Sequence, residues 1–303
     1  MKKLIRKGKV KEVYQVAPDT LEFHFTDNIV VFNKNIPDEV PRKGETLCKT
    51  SAYWFETAED MGFNTHFIRK SDDDKMEVKK VQDIEKYGQM DKKSRSCIIP
   101  LEFISRYFLS DSLYDKLVEG TVSHEELGFE GHPDYGDRLP EPYIEIKSKV
   151  EDEKKELKKD EVLTLTGITK AEYQEIIEVI LELDESIKKN AERNDLLHVI
   201  GKKEFAFDEE GRLMIVDSFG SVDQDIFWEM EDYKEGEFIP KHKKILKEYY
   251  QEIGYHDELK EARNSEEKEP PIPSLSDEMI EKISEYYVNI MKRLTDEKYG
   301  GKK

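Results

Sequence analysis

The sequence is poor in cysteine and contains no long apolar run. Cys48 and Cys97 are the only cysteines among 303 residues, and their spacing suits neither a metal site nor a disulfide framework. No stretch approaches the roughly 18 apolar residues that a membrane span needs, and the lysine-rich N-terminus lacks the apolar segment of a signal peptide. We therefore expect a reduced, cytoplasmic protein that has no membrane partner.

Positive charge is also scarce relative to negative charge. The chain has 49 lysines and arginines against 68 aspartates and glutamates, a net charge of -19, and only 10 of its cations are arginine. Such a chain lacks the basic surface that binds nucleic acid. Because the overall field repels anions, an anionic small-molecule substrate would have to be captured by local basic groups.

What the sequence does contain is a mixture of strand and helix patterns. Alternating apolar residues predict hairpin strands over 8–33, and residues 97–104 are typical of a buried strand. The polar residues 71–96 are interpreted as a surface insertion. Helical spacing predicts helices over 46–62, 170–193 and 276–295. Antiparallel hairpins with separate helices favour an α+β fold over a doubly wound sheet.

The most informative segment is a predicted hairpin whose turn lies at residues 208–211. Glu204 lies on its first strand and Asp217 ends its second, with Lys202 close by. Both acids lie among apolar strand residues, where two unpaired carboxylates would be costly without a cation. The hairpin therefore predicts a site for magnesium and a triphosphate, and hence an enzyme that uses ATP.

Eight segments form a further pattern that runs, in order, along nearly the whole chain. They are residues 8–14, 27–37, 43–47, 51–55, 99–112, 139–142, 202–228 and 271–295. Together they resemble the SAICAR synthetase (phosphoribosylaminoimidazole-succinocarboxamide synthase) family. The resemblance implies an α+β fold of two lobes, built from antiparallel sheets with flanking helices, and an ATP site between the lobes. Residues 1–96 would form the β-rich lobe that covers ATP, and 97–303 the lobe with the magnesium and substrate site.

The family joins a carboxylated aminoimidazole ribonucleotide to L-aspartate through an acyl phosphate. For this chain the resemblance implies ATP and Mg2+ as cofactors, and a ribonucleotide carboxylate and an amino acid as small-molecule substrates. Lysines and magnesium would neutralise and orient the triphosphate, since positioning and charge stabilisation carry most of phosphoryl transfer.

The resemblance also assigns site residues one by one. Glu204 and Asp217 match the magnesium ligands. Lys202 and Lys149 match lysines near the reacting groups. The nucleotide contacts that it implies are Lys9 and Lys11 on the triphosphate, with Cys97, Ile99 and the nearby Arg95 at the adenine. The substrate contacts that it implies are Arg106 and Ser112, which would hold the ribonucleotide phosphate, together with Asp27 and Lys43; a guanidinium fork suits a phosphate.

Several departures from the family pattern fall close to the substrate. Ile226 replaces an arginine that helps to hold the phosphate, and Asp111 replaces a small glycine beside the phosphate-binding serine. Glu153 and Lys154 occupy positions that carry histidine and aspartate in the family. Losing a charged contact would cost a few kcal/mol of binding. Asp111 would add repulsion, unless Lys116, Lys154 or Lys244 compensates.

These departures leave the acceptor substrate open. The chain could be a divergent SAICAR synthetase, or a ligase or kinase-like relative that acts on a different carboxylate and amine. A non-catalytic nucleotide-binding paralogue is disfavoured because Lys11, Glu204 and Asp217 are all present. The sequence does not predict an oligomeric state.

Overall fold

The computed structural model describes residues 2–84, 87, 96–150 and 155–295. Its strands are β1 (Lys3–Lys7), β2 (Lys11–Ala17), β3 (Thr20–Phe25), β4 (Asn28–Val31), β5 (Lys34–Glu39), β6 (Phe67–Asp72), β7 (Lys75–Lys79), β8 (Cys97–Ile98), β9 (Leu101–Phe108), β10 (Arg138–Ser148), β11 (Leu196–Phe207), β12 (Leu213–Val216) and β13 (Ile226–Glu229). Its helices are α1 (Lys43–Asp60), α2 (Asp111–Val118), α3 (Lys159–Thr166), α4 (Lys170–Arg193), α5 (Met230–Lys234), α6 (Lys241–Glu252), α7 (Tyr255–Asn264) and α8 (Asp277–Leu294). The mixture of antiparallel sheets and helices confirms the predicted α+β class.

The chain forms two compact units, each assembled from separate segments. The first comprises Met1–Ala52, Ile68–Val78 and Ile239–Lys303, and the second comprises Tyr53–Phe67 and Lys79–Phe238. Their segments are not those of the predicted lobes, 1–96 and 97–303, because the C-terminal segment belongs to the first unit and Tyr53–Phe67 belongs to the second. Among the described residues, no helix combines the length and the apolar character that a membrane crossing requires.

The first unit is built on a sheet with the strand order β1-β2-β3-β7-β6 and on the β4-β5 hairpin. Its helix α8 buries Ile283, Tyr287 and Ile290. The prediction of a surface insertion from residue 71 is wrong for its first part, since β7 lies in the sheet with Met76 and Val78 buried. Residues 85, 86 and 88–95 lie outside the described residues.

The second unit is built on a six-stranded sheet with β11 at its centre. The order is β10-β9-β11-β12, and β8 and β13 also pair with β11. The predicted strand over 97–104 is two strands, β8 and β9, interrupted at Ile99 and Pro100. The first strand of the predicted hairpin is 12 residues long, because it pairs with four neighbours and not with β12 alone.

The alternation of side chains along β11 divides its residues between two faces of the sheet. Lys202 is paired with Ile104, and Glu204 with Val216. The side chains of Lys202 and Glu204 therefore lie on one face. Lys203 lies on the opposite face, where its ammonium pairs with the buried Asp184 of α4. The strand thus presents charged groups on both faces of the sheet.

Candidate active site

The carboxylates and lysines predicted to bind magnesium and ATP come together in the second unit. The Glu204 side chain is buried and its Oε2 pairs with the ammonium of Lys149 from the segment that follows β10. Lys202 Nζ lies 4.0 Å from Glu204 Oε1 and 2.5 Å from Oε1 of the buried Glu102 on β9. Asp217 follows β12 directly, one residue beyond the partner of Glu204. Glu204 and Glu102 therefore share two ammonium groups, and the Asp217 carboxylate lies close enough to act electrostatically on Lys202.

The electrostatics of this cluster favour an additional cation. Burial raises the pKa of Glu204, and the nearby Asp217 carboxylate raises it further, while Lys149 and Lys202 act in the opposite direction. Burial by itself would lower the pKa of Lys202, yet Glu204 and Glu102 outweigh it and the pKa is raised. Carboxylate oxygens are the ligands that Mg2+ prefers. Glu204 and Asp217 therefore fit a magnesium site.

Asp217 adopts an uncommon backbone conformation at the end of β12. Its φ is 64°, in the left-handed region that costs non-glycine residues about 1–3 kcal/mol and is found at functional sites. Its carbonyl accepts a hydrogen bond of 3.0 Å from His66 Nε2, and His66 is itself buried. This bond helps to hold a turn that departs from the direction of the strand.

A second polar cluster surrounds the guanidinium of Arg106 on β9. Arg106 Nε donates to Glu145 Oε2 at 2.8 Å, and Nη2 donates to Ser112 Oγ at 2.9 Å. Lys116 Nζ and Lys147 Nζ each lie 3.1 Å from Glu145 Oε1. Arg106 Nη1 is buried and has no hydrogen-bond partner among the described residues. A buried donor without a partner is costly, so this nitrogen indicates a place for an anionic ligand.

The predicted pair of Arg106 and Ser112 is thus brought together, and the suggested compensating Lys116 lies beside it. Three members of the two clusters were not predicted: Glu102, Glu145 and Lys147. Glu145 and Lys147 alternate along β10, and Lys149 continues the same spacing just after the strand ends; this spacing was the available signal. The β9 residues that lie opposite Glu145 and Lys147 are set by the register between β9 and β10, which the sequence does not reveal.

The structure also locates two of the positions at which this chain departs from the family pattern. Ile226 on β13 pairs with Ile200, which in turn pairs with Arg106. Directly paired residues lie on the same face of a sheet, so an isoleucine row extends away from the guanidinium where an arginine was expected. Asp111 is exposed at the first position of α2 with a φ of 47°. Glu153 and Lys154 lie outside the described residues.

The residues predicted to contact adenine are in or beside β8. Cys97 is buried, and burial raises the pKa of its thiol. The Ile99 amide donates to the Phe205 carbonyl at 2.8 Å, so the backbone of Ile99 is partly engaged by the sheet. Arg95 lies outside the described residues. The roles of these three residues stay predictions.

The first unit contains the other predicted ligands. Lys9 Nζ donates to the Asn33 carbonyl at 3.3 Å, and Lys11 Nζ lies 4.3 Å from the centre of the Phe23 ring. Asp27 Oδ1 accepts from the Gly44 amide at the start of α1, at 2.8 Å. Lys43 is fully buried, and its Nζ lies 5.2 Å from the centre of the Tyr287 ring. Asp27 and Lys43 therefore have structural contacts in addition to their predicted roles.

Comparisons with known proteins bear on the whole chain. The SAICAR synthetase family profile matches residues 4–263. The phosphoribosylaminoimidazole-succinocarboxamide synthase of Thermoplasma acidophilum is 41% identical over 297 residues, which cover 98% of this chain and 100% of that protein. The corresponding protein of Thermoplasma volcanium is 40% identical with the same coverage.

Solved structures show the same fold. SAICAR synthase from Saccharomyces cerevisiae, complexed with SAICAR, has a TM-score of 0.78 at 20% identity and covers 98% of this chain and 96% of that one. A type-2 SAICAR synthetase in complex with ADP has a TM-score of 0.60 at 24% identity, with 75% and 84% covered.

The fold and the family match define the class of the protein, which is an ATP-dependent carboxylate–amine ligase. More narrowly, the chain belongs to the SAICAR synthetase family. The family predicted from eight short segments is therefore confirmed.

Proposed function

We propose that the protein joins carboxyaminoimidazole ribonucleotide to L-aspartate and converts ATP to ADP and phosphate. The observation that carries the proposal is the cluster of Glu204, Asp217, Lys149 and Lys202, in a chain 41% identical to a curated SAICAR synthase over nearly its full length. The ribonucleotide carboxylate attacks the terminal phosphorus of ATP, and ADP leaves. The aspartate amine then attacks the acyl phosphate, loses a proton and displaces phosphate.

Within this reaction, Glu204 and Asp217 would hold Mg2+, which when bound neutralises charge on the triphosphate. Lys202 and Lys149 already lie against Glu204, so their ammonium groups are suited to orient the transferring phosphoryl group and the acyl phosphate. Both lysines are held by ion pairs, and this restraint reduces the reorganisation that catalysis requires.

The Arg106 cluster would hold the ribonucleotide phosphate. Arg106 Nη1 and the Ser112 hydroxyl supply donors, and Lys116 and Lys147 supply positive charge in place of the arginine that is Ile226 here. Glu145 neutralises only one of the three cations around it. The ammonium of Lys116 also pairs with Glu156, so the cluster as a whole retains a modest positive charge.

Further assignments rest on the family resemblance alone and stay predictions. They are the contacts of Lys9 and Lys11 with the triphosphate, of Cys97, Ile99 and Arg95 with adenine, and of Asp27 and Lys43 with substrate. The position of ATP between two lobes, the magnesium ion and the cytoplasmic location belong to the same group.

The proposal is tested by supplying the purified protein with ATP, Mg2+, aspartate and the carboxyaminoimidazole ribonucleotide. We expect ADP and SAICAR in equal amounts. Glu204→Ala and Asp217→Ala should each lower kcat about 100-fold, the cost of removing one preorganised electrostatic contact. Glu231→Gln, a change at an exposed position of α5, serves as the control. ATP binding without ADP release above background would contradict the proposal.

A ligase that acts on a different carboxylate and amine is the second candidate, and the isoleucine row at Ile226 favours it. It predicts ADP release with another carboxylate and none with the ribonucleotide. A non-catalytic role makes a different prediction. ATP binding would then need no Mg2+ and would survive the combined Glu204→Ala and Asp217→Ala changes.

A further inference from the structure

A second group of ionisable side chains is buried on the opposite face of the same sheet. Asp184 of α4, His198 and Lys203 of β11, and Asp225 before β13 are each 0–2% exposed. Burying charges is expensive unless they are paired and hydrogen-bonded. None of these four groups belongs to the proposed reaction, so their presence behind Lys202 and Glu204 calls for an explanation.

Asp225 makes the contacts that connect this group to the active site. Its Oδ1 accepts from the Gly220 amide at 3.2 Å and from the Lys202 amide at 3.3 Å. Gly220 lies in the loop that begins at Asp217, and Lys202 is on β11. One carboxylate oxygen therefore joins the loop after one proposed metal ligand to the strand that carries the other, Glu204.

His198 fixes the orientation of this carboxylate. Its Nε2 lies 2.9 Å from Asp225 Oδ2, and its ring stacks on Phe227 with centroids 5.2 Å apart. The ring also lies 5.4 Å from that of Tyr107. With one oxygen held by His198, the other is directed at the two backbone amides.

The remaining two charges stabilise the strand itself. The Lys203 ammonium pairs with Asp184, which also accepts hydrogen bonds from Ser105 and, at 2.8 Å, from Tyr107. Burial opposes ionisation of Asp184, but Lys203 and His198 hold its pKa below the usual value. Oxygen and nitrogen atoms of Asp184, His198 and Asp225 lie within 4.8 Å of one another. Lys203 already supplies a cation to Asp184, so we do not assign a metal there.

The loop is constrained from its other side as well. Gly220 has a φ of 74°, and a Cβ at this position would lie 2.2 Å from Cδ1 of Trp54. The side-chain amide of Gln224 donates a hydrogen bond to Ser218 Oγ at 3.1 Å. The loop is therefore held against the indole and closed on itself, and Asp225 supplies its side-chain connection to β11.

We propose that Asp225, oriented by His198, is a positioning residue that sets the separation between the Asp217 loop and the strand bearing Lys202 and Glu204. Neither side chain touches the reacting groups, and both act through backbone amides. The proposal rests on the proposed function in that the aligned groups are those of the ATP site. Asp225 directly precedes Ile226, the position at which the family pattern has an arginine, so the same segment lacks that arginine and carries a positioning carboxylate.

The test compares four variants: Asp225→Asn, His198→Leu, the double variant and His198→Gln. For Asp225→Asn and His198→Leu we expect kcat to fall about 10- to 100-fold, the range for a misplacement of up to about 1 Å, and the KM for aspartate to change less than threefold. The double variant should be no more than about twofold worse than Asp225→Asn, since residues that act as a unit are not additive. His198→Gln keeps a donor for Asp225 and should restore most of the activity, and Glu231→Gln is the control.

A merely structural role predicts otherwise. The melting temperature would fall while kcat per folded molecule stayed within twofold, or the two single effects would multiply in the double variant, and either result would overturn the proposal. If Asp225→Asn does not fold, the comparison of His198→Leu with His198→Gln decides the question by the same criterion.

A second readout separates this proposal from the proposed function. If the wild-type protein does not turn over the ribonucleotide, the proposed function fails, and calorimetric binding of ATP in the presence of Mg2+ then tests the positioning role. We expect Asp225→Asn to weaken this binding at least 10-fold and His198→Gln to leave it within about threefold. Equal affinities for wild type and Asp225→Asn would refute the positioning role.

Discussion

Glu145 is the residue whose surroundings have the clearest energetic consequence. Arg106, Lys116 and Lys147 all approach its buried carboxylate. Burial opposes ionisation, but the Arg106 guanidinium and then the two lysines outweigh it and lower the pKa of Glu145 to about 2. A carboxylate whose pKa is depressed on folding stabilises the folded protein at every pH above its pKa in the unfolded chain.

Replacing Glu145 by glutamine should therefore destabilise the protein in a pH-dependent way. Glu145→Gln is expected to lower the free energy of unfolding by about 3 kcal/mol at pH 7, because folding lowers the pKa of Glu145 from 4.5 to about 2. As the pH falls below about 4.5 the difference should shrink, and it should vanish near pH 2. Urea denaturation of both proteins at several pH values measures it. A difference that is independent of pH would contradict the ion-pair explanation, and Glu231→Gln controls for the loss of a surface charge.

At the scale of single residues, the sequence predicted site residues that belong to one motif. It missed residues that are distant in sequence and close only in the folded structure. Arg106 and Ser112 are six residues apart, and their contact followed from the family pattern. Glu102 and Glu145 reach Lys202 and Arg106 from neighbouring strands. Only the register of those strands brings them close, and a shift by one residue would send both carboxylates to the other face.

Among the elements, the helices with strong N-terminal caps are best defined by the sequence. Ser276 accepts a hydrogen bond from the Met279 amide at the start of α8, and Thr169 forms a capping box with Glu172 at the start of α4. Both helices lie within one residue of their predicted bounds. Caps are encoded within four residues, so no tertiary information is required.

Removing the Ser276 cap should weaken α8 without changing its core. Ser276→Ala is expected to cost about 1 kcal/mol of unfolding free energy, because the Met279 amide loses its acceptor. Ser276→Asp should retain most of the stability, since it keeps an acceptor and suits the helix dipole. Chemical denaturation of the three proteins is the measurement. Equal stability of Ser276→Ala and wild type would show that the cap contributes nothing.

The start of α1 depends on one glycine. A Cβ on Gly44 would lie 2.2 Å from the carbonyl oxygen of Phe25, so the helix could not begin so close to β3. Gly44→Ala should destabilise the protein by more than about 3 kcal/mol, above the usual range for point substitutions, because a backbone atom must move. The melting temperature reports the loss. Gly62→Ala, where a Cβ would meet open space although φ is positive, should cost less.

The strands were harder to predict than the helices. β7 is flanked by lysine and aspartate, and only Met76 and Val78 mark it as buried. In β11 polar residues occupy both faces, which hides the alternation that identifies a strand. The separate segments of each unit could not be assigned from the sequence, because contacts distant in sequence decide which segments pack together.

For the molecule as a whole, the net charge of -19 sets the approach of an anionic substrate. The long-range field is repulsive, while the Arg106 cluster attracts at short range. Salt screens the long-range repulsion more than the short-range attraction, since the Debye length falls from about 30 Å at 0.01 M to about 8 Å at 0.15 M.

Raising ionic strength should therefore accelerate substrate association. We expect the association rate constant of the ribonucleotide to rise several-fold between about 0.01 and 0.15 M salt, opposite to the decrease usual for electrostatically steered encounters. Stopped-flow measurement of binding under both conditions is the test. Lys116→Met should mainly raise the dissociation rate, and a fall in the association rate with added salt would show that the local field dominates.

The two-faced character of β11 has a consequence for changes in chain length. An insertion of one residue between Lys202 and Lys203 would exchange the faces of every residue beyond it, and would direct Glu204 towards α4 and Lys203 towards the proposed ATP site. A change of two residues would preserve the faces and shift only the position along the strand. We therefore expect the protein to tolerate substitutions along β11 far more readily than the insertion or deletion of a single residue in this strand.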